Sequence, residues 1–142
     1  MKYLIVFGSE DYKFAKQSLV ESAAPYFDHC FSFSKEDIEE EFYQANSKIL
    51  DQKRGAGYWL WKPYFIFDVL NCVKDGDIVF YVDAGNIFIN NPEKLYSHFD
   101  EKGIILFDNR DGMQNGECAE NFISCKKDSF VLMNCDEDKY VY

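Results

Sequence analysis

Short unbroken apolar runs alternate along this chain with longer stretches in which apolar positions recur at helical spacing. Residues 2–7 (KYLIVF) form the first run, and Gly8-Ser9 closes it, the look of a buried strand. Phe14, Leu19 and Ala23 then stand among charges and predict a surface helix over 10–23, ending before Pro25. His29 to Phe33 is a second short strand. Ser34 opens a capping pattern with an acid three residues on and predicts a helix over 35–49. Pro63 suits a first helical turn and places the next helix over 62–73, with Phe65, Ile66, Val69, Leu70 and Val73 on its apolar face. Lys74-Asp75-Gly76-Asp77 is a tight turn into the run Ile78 to Val82, which ends on Asp83.

Beyond that strand, Asn90-Asn91-Pro92 predicts a short helix through Phe99, and Gly103 to Phe107 a fourth strand. Asp108 to Gly116 reads as a polar loop, and 127–134 as a last short helix. Strands that alternate with helices imply an α/β fold with a mostly parallel sheet flanked by helices. The apolar runs are continuous rather than alternating, which suits strands buried on both faces. No linker, repeat or low-complexity tract divides the 142 residues, so a single domain over 1–142 is expected.

Composition narrows the partners. A formal charge of −10 argues against general attraction to nucleic acid or to an anionic membrane, so an anionic ligand needs a local basic spot. Lys53, Arg54 and Lys62 are that spot. Cys30, Cys72, Cys118, Cys125 and Cys135 form no CxxC pair and there are two histidines, which fits reduced thiols in a cytoplasmic protein rather than a zinc site. The run Tyr3 to Phe7 is too short for a signal peptide or a membrane span.

The chemistry concentrates in residues 53–86. Asp83 sits at a strand end, where ligands of open α/β sheets collect, and Ala84-Gly85 clears bulk from around its carboxylate. A single acid in such a place can share a divalent cation with a diphosphate. Lys62 lies in the first turn of a helix, where backbone N–H groups also favour anions. Tyr58, Trp59 and Trp61 are three large aromatics in four residues. The two tryptophans, two residues apart, cannot share one helical face, so one is expected in the core and one against a ligand ring. Neither GxGxxG nor GxxxxGK[ST] occurs, and GxSxG and HExxH are likewise missing.

The stretch GAGYWLWKPYFIFDVLNCVKDGDIVFYVDAGN resembles a family of bacterial and viral polysaccharide glycosyltransferases with a GxGYWxWKP…GDIxxYxDAG pattern, and Cys125 to Asp136 resembles that family's downstream segment. The resemblance implies a Rossmann-like GT-A fold that binds a sugar nucleotide, UDP-linked for preference, with Mn2+ or Mg2+. In that pattern Asp83 matches the first acid of a D-x-D motif and is the expected metal ligand. Gly85 stands where the second acid belongs. The donor site is then expected at Phe7, Gly8, Ser9, Arg54, Tyr58, Trp59, Lys62, Asp83, Ala84 and Gly85. With Tyr142 ending the sequence, the fold is expected to be minimal or truncated on the acceptor side. The expected activity is transfer of a sugar to a glycan or other hydroxyl acceptor. The alternatives are a non-catalytic nucleotide-sugar-binding module and an α/β protein-interaction domain.

Overall fold

The computed structural model describes residues 1–99 and 103–105. The chain divides into two compact units, Met1–Tyr96 and Ser97–Tyr142, and the architecture below is that of the first. Three strands, β1 (Lys2–Phe7), β2 (His29–Phe33) and β3 (Ile78–Tyr81), form one parallel sheet in the order β2-β1-β3. In the register, Leu4 of β1 lies beside Cys30 on one side and Phe80 on the other. The helices are α1 (Lys13–Ala23), α2 (Glu40–Leu50) and α3 (Trp61–Cys72).

β1 is the central strand, and its run LIVF is buried residue by residue. Successive strand residues face opposite sides, so Ile5 and Phe7 enter one core while Leu4 and Val6 enter the other. The first core joins them to Ile38, Leu50, Trp61, Phe65 and Val69, from α2, α3 and the segment between β2 and α2. The second joins Leu4 and Val6 to Leu19, Ala23, Phe27 and Ala84, with α1 as its cover. Helices on both faces explain the unbroken apolar run: neither face of Leu4 to Phe7 meets water.

The expected α/β class and parallel sheet are therefore present, and most element positions match. Two differ in kind. The helix expected over 35–49 is split: Ser34 and Asp37 form a capping box around a single 3-10 turn, Lys35–Asp37, and Ile38 is extended before α2 begins. The split lets Ile38 drop into the core. The element after Asn91 is a 3-10 helix, Pro92–His98. Of the expected fourth strand only 103–105 is described, with no strand assigned there, and the loop and helix expected beyond it lie outside the described residues. No helix among the described residues is long and apolar enough to cross a membrane.

The strand order has one consequence for ligands. From β1 the chain crosses through α1 to β2 on one side. From β2 it returns through α2 and α3 to β3 on the other. The direction of winding reverses at β1, so a crevice opens between the carboxyl ends of β1 and β3, the topological switch point of an open α/β sheet.

Candidate functional site

A cavity of about 910 Å³ occupies that crevice, within the size range of small-molecule sites. The end of β1 contributes Phe7, Gly8 and Ser9, and the segment after β3 contributes Asp83, Ala84 and Gly85. Trp59 and Trp61 supply its aromatic wall, and Lys53 is the basic residue of its lining. Two strand ends that are 75 or so positions apart in sequence thus meet as the parallel pairing of β1 and β3 requires.

The aromatic wall depends on an unusual backbone. Gly55, Ala56, Gly57, Tyr58 and Trp59 all have positive φ, between 48° and 99°. Bonds from Tyr58 N–H to the Arg54 carbonyl (2.8 Å) and from Trp59 N–H to the Gly55 carbonyl (3.1 Å) close it as a left-handed helical turn. Glycine adopts this region without penalty; Ala56, Tyr58 and Trp59 do so at a cost of roughly 1–2 kcal/mol each. The turn brings Trp59 over Gly55, where a Cβ would lie 2.5 Å from the indole. Trp61 begins α3 and stacks on Phe7 at 3.8 Å between ring centroids, while its indole N–H donates to the Gly55 carbonyl at 3.0 Å. Trp61 is buried and Trp59 is 44 % exposed. One tryptophan is therefore packed in the core and the other is half exposed, yet both border the cavity. The helical spacing rule that separates them does not apply across a left-handed turn.

Asp83 is the electrostatic centre. Its Oδ1 accepts from the Tyr81 hydroxyl and pairs with the Lys62 ammonium at 2.9 Å. The same ammonium lies 5.5 Å from the Trp61 ring centroid and 5.3 Å from that of Tyr81, a placement that favours a cation. Partial burial pushes the Asp83 carboxyl up, but hydrogen bonds from Tyr81 and Lys62 and the charge of Lys62 together hold it below the usual carboxylate range. Burial, and then the bond to Asp83, push the Tyr81 phenol far above its ordinary value, so it stays a donor. Asn86 fixes the turn from behind, its backbone and side-chain N–H groups both donating to the Asp83 carbonyl, at 3.1 and 2.9 Å. The carboxylate is thereby held just beyond the end of β3, while its Oδ2 engages no donor among the described residues.

Seven of the ten expected site residues border the cavity: Phe7, Gly8, Ser9, Trp59, Asp83, Ala84 and Gly85. Lys62 stands behind Asp83 rather than in the lining. Arg54 and Tyr58 fall outside it. Arg54 sits over the Trp59 ring at 5.7 Å, and Tyr58 is turned to solvent by the left-handed backbone. Of the basic spot Lys53, Arg54 and Lys62, only Lys53 lines the cavity; Asp11, Tyr12 and Trp61 line it as well, without having been among the expected donor-site residues. Asp11 and Tyr12 lie in the 3-10 turn Glu10–Tyr12 that directly follows Gly8-Ser9, so the strand-end argument applied to Gly8 extends to them.

The residues around Asp83 do not by themselves make a divalent-cation site. Its Oδ1 is already shared by an ammonium and a hydroxyl donor, Gly85 brings no side chain, and no group of three candidate ligands is found among the described residues. Magnesium demands near-octahedral oxygen coordination. Asp108 and Asp111, which could add carboxylates, lie outside the described residues. Comparison with family models, with curated proteins and with solved structures finds no match to this chain. The fold and site define an α/β protein with an open parallel sheet and a cavity at its switch point.

Proposed function

We propose that this cavity is the donor site of a glycosyltransferase that binds a nucleoside-diphosphate sugar, UDP-linked for preference, and passes the sugar to a glycan or other hydroxyl acceptor. One observation carries the reading: the cavity lies at the switch point between β1 and β3, walled by an exposed indole and edged by a strand-end carboxylate. The wall matches a flat ring. Trp59 offers the face on which a base or a sugar can stack. Asp83, through its open Oδ2, accepts from ribose or sugar hydroxyls, and Gly85 leaves clear space beside it. Cleavage of the anomeric carbon–oxygen bond places negative charge on the departing diphosphate, and a fixed cation at that end lowers the barrier. The divalent cation expected of such enzymes finds no ligand set among the described residues.

Calorimetric titration with UDP, GDP and their sugars tests the reading. Saturable binding of one nucleoside diphosphate, weakened at least about tenfold by Trp59→Ala through loss of stacking, is the expected result. No saturable binding of any nucleotide rejects it. Incubating the bound donor with hydroxyl acceptors then separates an enzyme, which consumes the donor, from a module that only holds it.

A further inference from the structure

We propose that this site holds its anionic ligand without a divalent cation: the Lys62 ammonium occupies the place on Asp83 that a metal would take, and the Lys53 ammonium receives the phosphates. The inference rests on the nucleotide reading above and specifies how the charge of that ligand is met.

Lys62 and Asp83 are 2.9 Å apart and cancel each other. A metal approaching Oδ1 has to displace both that ammonium and the Tyr81 hydroxyl, and it gains one carboxylate in return. Lys62 is held from three sides, by Asp83 and by the faces of Trp61 and Tyr81, behind the carboxylate and outside the lining. Neutralising Asp83 removes the repulsion that would otherwise meet a diphosphate. Lys53 differs from it. It lines the cavity, and its ammonium takes part in no hydrogen bond or ion pair among the described residues. In a chain of formal charge −10, an uncommitted lysine on the wall of this crevice is where an anion gains most. Asp11, the other acid of the lining, remains to take hydroxyls.

The experiment is nucleoside-diphosphate titration of the whole chain in EDTA and again in MnCl2, followed by calorimetry, with melting curves to confirm folding. Wild type is expected to bind with the same affinity, within about twofold, in both buffers. Lys53→Met is expected to lose at least about tenfold for the diphosphate and little for the nucleoside, the size of one charge-assisted hydrogen bond. Lys53→Arg retains binding. Lys74→Met, at the opposite end of β3, is the charge control and binds as wild type. Lys62→Met exposes the Asp83 charge, so binding in EDTA falls and Mn2+ restores it. Two results overturn the proposal alone: wild-type binding that appears only with Mn2+, or an unchanged diphosphate affinity in Lys53→Met. No binding in either buffer overturns it together with the nucleotide reading.

Discussion

Three glycines near the cavity do three different things. Gly57 has φ +99°, and a Cβ there would lie 2.7 Å from the Leu50 Cα, a backbone atom that cannot step aside. Gly8 is crowded instead by the stem of Lys16, at 3.0 Å, whose ammonium donates to the Phe33 carbonyl at 3.1 Å. The glycine after β1 thus makes room for a lysine crossing the strand ends as well as for a ligand. Gly85 has nothing within 4 Å of its would-be Cβ and no positive φ. Gly57→Ala is therefore expected to destabilise by roughly 2–4 kcal/mol, combining a backbone clash with strain. Gly85→Ala should change stability by less than about 0.5 kcal/mol. Since the added methyl enters ligand space, it should weaken nucleotide binding all the same. Urea melts of both variants, beside a titration of Gly85→Ala, check the contrast; a large stability loss at Gly85 would remove it from the open cavity edge.

At the scale of elements, the left-handed turn is the part whose character the sequence concealed. Tyr58 has φ 48° and is 52 % exposed, so its side chain offers little packing to offset its backbone strain. Replacing it with glycine is expected to raise stability by roughly 0.5–1 kcal/mol, strain relief outweighing the entropy of the added glycine. Nucleotide affinity should stay within about twofold, because Tyr58 is not part of the lining. A clear loss of stability in Tyr58→Gly would mean that the turn is not left-handed in solution. The strands and the first turn of α3 were legible because unbroken apolar runs and a proline act locally. The pairing of Gly8-Ser9 with Asp83 was legible as well, through the strand-end rule. Five consecutive positive φ values were not. GAG announces a hinge, but Tyr58 and Trp59 follow their neighbours into the left-handed region only because hydrogen bonds and the Trp61 anchor hold them there. That long-range cause also leaves Arg54 and Tyr58 outside the cavity lining.

For the molecule as a whole, several acids are stabilised by specific partners, and this sets a pH window. Asp51 accepts from the Tyr43 hydroxyl and pairs with Lys35 at 3.1 Å, tying the 3-10 turn before α2 to the end of α2. These bonds lower its carboxyl pKa, first through Tyr43 and then through Lys35. Asp77 is lowered by the Met1 ammonium and by the Lys74 backbone N–H, which tie the turn before β3 to the start of β1. Glu36 and Asp83 are lowered too. A depressed folded pKa means that the unfolded chain binds protons more readily, so this stabilisation is complete above the unfolded values near 4 and disappears as pH falls through the folded ones. Lys35 runs the other way. Its raised pKa, caused chiefly by the bond to Asp51, contributes stability below about 10.4 that is lost as pH rises through the folded value. Melting temperature is therefore expected to be nearly flat from about pH 5 to pH 9 and to fall on both sides. Asp51→Asn removes one contribution at each end, so its melting temperature should approach that of wild type at pH 3 and lie below it at pH 7. Thermal melts at both pH values decide the matter: a deficit at pH 3 as large as that at pH 7 would show that Asp51 acts through packing and not through its charge.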